Sequence, residues 1–353
     1  MIFLLLIIGL VVYLIIRIEG TKRGREKGWY LQLFFSKEDA VSQFFFLLSA
    51  SFLGITLLAF NKNLGNPLSW QTILLLASVI GVVIGYYFKV IYTLAVSLMG
   101  LVGWWGVQAA KWIEEKDIKI VALFTGLLFI ATIFYLLGRA HEKEIKFKRV
   151  SMVYSILGLI FITNILFFLS TEYGLRALQS ITKGASFFTS WEITFSFFVF
   201  LAFLVGILVY TLSKNLIFKS EAVAVGFLTV LFCIIILLPQ QIMFLQQKGY
   251  YGNVRLSTIG ILWAVFFNIL IFLELVGIIF LGYLRRENWL INLGIFFIFI
   301  LILIKYFDWF FTFLNKSIFF IGAGVLLLVC GWFMEKGRRY LLSAIEKKKR
   351  EKN

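Results

Sequence analysis

Apolar residues come in eleven long runs, at positions 2–16, 44–60, 70–88, 90–110, 120–137, 150–169, 191–212, 222–238, 257–283, 289–304 and 317–334. Charges, Asn, Pro or Trp and Tyr close most of them, as they do where a segment leaves a bilayer. A helix needs about 20 apolar residues to cross a hydrocarbon core of about 30 Å, and most of these runs have that length. Backbone groups in lipid must be paired within their own segment, so the runs predict helices; barrel strands would alternate over about ten residues. The fold class expected is an all-α, polytopic integral membrane bundle of about eleven transmembrane helices.

Polar positions orient the bundle. The three densest basic clusters lie at 17–37, 139–149 and 336–352, and four and then six spans separate them, so all three share one face. With that face cytoplasmic, 24 of the 34 Lys and Arg residues fall inside and 10 outside, as the positive-inside bias requires. The N-terminus is then outside and the C-terminus cytoplasmic. The first run has no basic residue before it and Arg17, Lys22, Arg23, Arg25 and Lys27 after it, the reverse of a secretory signal, which predicts an uncleaved anchor. Pro67 and Pro239 fall in a loop and at a span end, so no span is broken by proline. No pair of matching halves is found. The organisation read from this is one bundle over residues 1–334 and a basic cytoplasmic tail over 335–353.

Composition narrows the chemistry. Hydrophobic residues make up 61% and charged residues 15% of 353 positions, against about 45–50% and 25% in soluble domains, which excludes a soluble enzyme. One histidine and two cysteines, Cys233 and Cys330, both inside apolar runs, leave no His- or Cys-rich metal site and no disulfide framework. No metal and no cofactor are expected. The net charge of +16 gathers at span ends, so the partners expected are membrane lipids, with anionic headgroups at the cytoplasmic face, and not nucleic acid.

Glu274 is the candidate functional residue. It lies about 13 Å from the cytoplasmic end of its span, and no basic residue stands three or four positions away. A carboxylate at that depth costs a few kcal/mol, and hydrocarbon favours its neutral form. It reads either as a group that carries a proton or contacts a cation or solute, or as a structural carboxyl bonded to Asn164, Gln108 or Asn268. Glu192 follows Thr189-Ser190-Trp191 with the spacing of a capping box, so helix capping is its expected role, and Ser36-Lys37-Glu38-Asp39 repeats the pattern. Lys305, Tyr306, Asp308 and Trp309 form an interfacial headgroup belt, with Lys305 and Asp308 spaced to pair on one helical face. Gly81, Gly85, Gly100, Gly103 and Gly106 are expected to bring two helices close. His141, in a charge run, is expected to be solvated. No nucleophile elbow, metalloprotease helix or phosphate loop occurs, and no catalytic residue is assigned.

The C-terminal stretch KYFDWFFTFLNKSIFFIGAGVLLLVCGWFMEKGRRYL carries Tyr306, Phe307 and Asp308, a short polar turn, Gly322, Gly324 and Gly331 in an apolar span, and a closing Glu335, Arg338 and Arg339. In this pattern it resembles a family of bacterial predicted membrane proteins catalogued as domain of unknown function 2157. Residues 44–137 are similar more loosely, through Asn61 after a hairpin helix and Gln108 at the end of a Gly-rich one; residues 138–284 match no pattern known to us. The resemblance implies a multi-pass protein of the bacterial inner membrane and carries over no catalytic residue.

The function expected is handling of a small solute, proton or lipid-type molecule through an intramembrane cavity near Glu274, without covalent catalysis. Two other classes stay open: an envelope enzyme on a lipid-linked glycan, which would depend on Asp308, Arg176 or Arg255, and a structural subunit with a membrane protein partner.

Overall fold

The structure, a computed structural model, describes residues 40–144, 147–171, 173–175, 187–237, 245–247, 254–310 and 316–350. Ten helices long and apolar enough to cross a membrane occur among them, and they coincide with ten of the eleven predicted runs. The first predicted run, at 2–16, and the Ser36–Asp39 pattern lie outside the described residues. In chain order the helices are α1 (Ala40–Asn63), α2 (Trp70–Phe88), α3 (Ile91–Lys116), α4 (Val121–His141), α5 (Lys148–Leu169), α6 (Trp191–Ser213), α7 (Lys219–Leu237), α8 (Thr258–Arg285), α9 (Asn288–Phe310) and α10 (Lys316–Arg350). A short antiparallel pair, β1 (Leu245–Gln247) and β2 (Val254–Leu256), precedes α8, with Gln246 opposite Arg255.

Turns between the helices are built by their sequences. Lys89 adopts a left-handed conformation (φ 56°) and its N–H reaches Gly85 O, so α2 reverses into α3 within two residues. Arg286 (φ 57°) does the same between α8 and α9. Between α1 and α2, Asn61 clasps the loop: its Nδ2 donates to Leu68 O at 2.9 Å and its Oδ1 accepts from Leu68 N at 3.0 Å. Ser69, Ser190 and Ser257 cap α2, α6 and α8 by accepting from backbone N–H groups of the first turn.

By its contacts the chain gathers into two compact units. Of the described residues, those within 40–161 and 187–237 form the first and those within 162–175 and 245–350 the second, so α5 contributes to both. In the first unit α4 is central: 78% of its span is buried, and it packs against α3, α6 and α7. Leu94, Leu98, Trp105, Phe134, Val150 and Leu157 anchor the core. Backbones meet where glycine allows it. A methyl group at Gly158 of α5 would strike the backbone of Tyr135 and Ala131, one at Gly138 would strike Ser155, and those at Gly81, Gly85 and Gly100 would strike Ser97, Leu94 and Ser78 across the α2–α3 pair. Gly103 and Gly106 differ from the expectation: nothing lies within 4 Å of either, so they leave open space instead of close packing.

In the second unit α8 and α9 form an antiparallel hairpin, with Gly282 against Leu290 and Ile291 and Gly294 against Ile279, and α10 packs on α9. Large apolar side chains such as Phe272, Phe280, Phe296, Leu328 and Trp332 point outward. In water so much exposed apolar surface would drive aggregation; around a membrane span it is the surface that lipid tails cover. The basic segment after residue 335 continues α10 as helix to Arg350.

Candidate functional site

Glu274 sits in the middle of α8, whose buried side is lined by Phe267, Ile271, Leu275 and Ile278. Opposite it runs the last part of α5, residues 162–169, from the same unit. Thr163 Oγ1 donates to Glu274 Oε1 at 2.7 Å, and Thr163 itself is fully buried. Glu274 Oε2 is enclosed and has no hydrogen-bond partner. The carboxyl is therefore held by one oxygen only.

The sequence reading offered Asn164, Gln108 and Asn268 as partners. The donor the structure shows is Thr163, the neighbour of Asn164, while the Asn164 residue itself lies on an exposed face. Gln108 lies in α3, within the first unit. Asn268 is six residues from Glu274 on α8, about 9 Å along the axis, and serves the end of α5: its Nδ2 donates to Ser170 O at 3.2 Å and to Ala264 O at 2.7 Å. Lys305 Nζ reaches the same Ser170 carbonyl at 3.0 Å. A cation at the C-terminal end of α5 is favoured by the helix dipole and gives the Ser170 carbonyl a second donor. Within this unit a polar level of Ser170, Asn268 and Lys305 is thus followed, further along α8, by Thr163 and Glu274.

Of the predicted interfacial belt, Lys305 turns to α5, while the Tyr306 hydroxyl packs at Gly322 of α10, where a side chain would collide with it. The side chains of Asp308 and Trp309 lie outside the described ones.

The first unit holds charged groups whose roles differ from the sequence reading. Ser190, and not Thr189, is the N-cap of α6, accepting from Ile193 N; Glu192 is one position short of the capping-box site. Its carboxylate instead receives Ser190 Oγ at 2.7 Å and Lys116 Nζ at 2.6 Å. His141 is packed rather than solvated: its ring stacks on Tyr154 (3° between planes), Nδ1 lies 2.7 Å from Leu137 O and Nε2 3.3 Å from Tyr86 Oη. The charge run around it gives no sign of this, because the rings come from α2 and α5.

Sequence reasoning missed Glu221 and Arg139. Glu221, buried in the first turn of α7, accepts from Tyr135 Oη at 2.7 Å through Oε2 and from Phe218 N at 3.2 Å through Oε1. Arg139 is 2% exposed, lies 5.1 Å from the ring centroid of Tyr135, and bonds Glu142 at 3.3 Å. The i, i+4 spacing of Tyr135 and Arg139 was the available signal, since it places both on one face of α4.

None of the protein-family models, curated proteins or solved structures compared with this chain matches it. The chemistry of its own residues is the guide to function. What distinguishes the Glu274 site is a half-buried acid whose enclosed Oε2 has an unfilled bonding position, set in an apolar helix and fixed through Oε1 by a neighbouring hydroxyl.

Proposed function

We propose that this is a multi-pass protein of the bacterial cytoplasmic membrane, N-terminus outside and C-terminus inside, that moves a small solute or a proton through its helix bundle by way of Glu274. The observation that carries the reading is the half-satisfied carboxyl: Oε1 is positioned by Thr163 and Oε2 has no partner. Leaving an enclosed polar atom unpaired costs about 1–3 kcal/mol, and ionisable groups inside spans mark proton relays and ion paths. A proton, a cation or a polar solute atom arriving at Oε2 would fill that position. The hydroxyl of Thr163 serves both states, because it can donate to a carboxylate and accept from a carboxylic acid. No covalent step is needed. The orientation rests on the basic clusters, and the setting agrees with the pattern of the C-terminal hairpin.

The test is proton flux. Proteoliposomes holding the purified protein and an internal pH dye are given an imposed pH gradient with the membrane potential clamped. Wild-type vesicles should dissipate the gradient faster than protein-free vesicles, and E274Q vesicles should not. Equal rates for wild type and E274Q, with both proteins folded, would overturn the reading.

A further inference from the structure

A second site of a different kind lies between α9 and α10, away from Glu274. There the two helices border an open, largely unenclosed groove of about 340 Å³. The helices run antiparallel, so that Tyr306 meets Gly322 and Asn292 meets Arg338. One end of the groove is therefore polar, with Asn292, Glu335 and Arg338, and the other apolar, with Phe299, Gly331 and Met334. Seven residues separate the levels of Asn292 and Phe299, about 10 Å along the helix.

Both ends are built. At the polar end Arg338 Nε donates to Asn292 Oδ1 at 2.7 Å and its Nη1 to Glu335 Oε2 at 3.0 Å, while Arg339 Nε donates to Glu335 Oε1 at 2.8 Å. One carboxylate thus aligns two guanidinium groups. Each guanidinium has five N–H donors, so Nη2 of Arg338 remains to meet an anion. Lys336, 5.0 Å above the Trp332 ring, adds a third cation at the same level. At the apolar end Gly331 makes the room: nothing lies within 4 Å of where its Cβ would be. Phe296 forms an exposed wall.

We propose that this groove holds an anionic phospholipid, one acyl chain lying along Phe299, Gly331 and Met334 and its phosphate against Arg338. Both helices are membrane spans, so lipid is the phase the groove opens to. Its charge selects among lipids: three cations against one carboxylate at the headgroup level favour a net negative headgroup over a zwitterionic one. A tail slot and a cationic clamp within one groove distinguish it from the general attraction of a basic span end.

Native mass spectrometry in mild detergent tests this by titrating phosphatidylglycerol, phosphatidylcholine and inorganic phosphate onto the purified full chain. Phosphatidylglycerol should bind wild type at least about fivefold more tightly than phosphatidylcholine, as one surface charge contact would give. R338Q should lose about that factor for phosphatidylglycerol alone. G331L, which fills open space, should weaken both lipids. N292A keeps the charge but frees the guanidinium, and an intermediate loss is expected if R338Q does not fold. Equal binding of the two lipids, retention of phosphatidylglycerol in the folded variants, competition by phosphate as strong as by lipid, or a lipid-free dimer with this face covered by a second copy would each overturn the proposal.

Discussion

Two glutamates inside the helix bundle, Glu221 buried in the first unit and Glu274 half-buried in the second, have the same side chain in opposite conditions. Glu221 lies in the first turn of α7, where the helix dipole favours an anion, and each of its oxygens has a donor, Tyr135 Oη and Phe218 N. Glu274 lies mid-helix, without a terminal dipole, and has a donor on one oxygen. The first arrangement ties α4 to α7 and is complete. The second leaves a bonding position that the fold does not use. Burial of an acid in a span is therefore not by itself a functional sign; the state of its second oxygen separates the two cases.

The sharpest way to break this contrast is E221A, which removes the acceptor of Tyr135 Oη and Phe218 N together. It should destabilise the protein by about 2–4 kcal/mol, read as a lowered melting temperature in a thiol-dye unfolding assay that uses the free cysteines Cys233 and Cys330. E274L should behave in the opposite sense. Replacing a half-satisfied carboxyl by a hydrocarbon of similar size leaves the melting temperature equal or higher, while proton flux is lost. A drop as large as that of E221A would place Glu274 with the structural acids. The smallest effect is expected for K116A. The Lys116–Glu192 pair is about one-third exposed, so its removal should shift the melting temperature least, and the shift should vanish in high salt.

The spans were legible because bilayer thickness fixes their length, and ten of them stand where apolar runs of that length stand. Glu274 was legible for the same reason: depth follows from counting residues to the span end. Its partner was not. Thr163 is 111 positions away, and a threonine in an apolar run gives no local sign that it will face an acid. The cap of α6 was placed one residue early because Thr189 and Ser190 both have the required oxygen, and only the backbone turn decides between them. The glycines divide likewise. Spacing groups Gly100, Gly103 and Gly106, yet three residues advance a helix by about 300°, so only Gly100 of the three meets α2.

Helix α10 continues from its span through Tyr340 to Arg350 without a break. Ten residues of helix are about 15 Å, nearly twice the Debye length of about 8 Å at physiological salt. Standing upright, the rod would end well beyond that length from the apolar segment, whereas leaning over would bring its end back. Since rod and apolar segment are one helix, any lean of the segment swings the free end of the rod by the same angle.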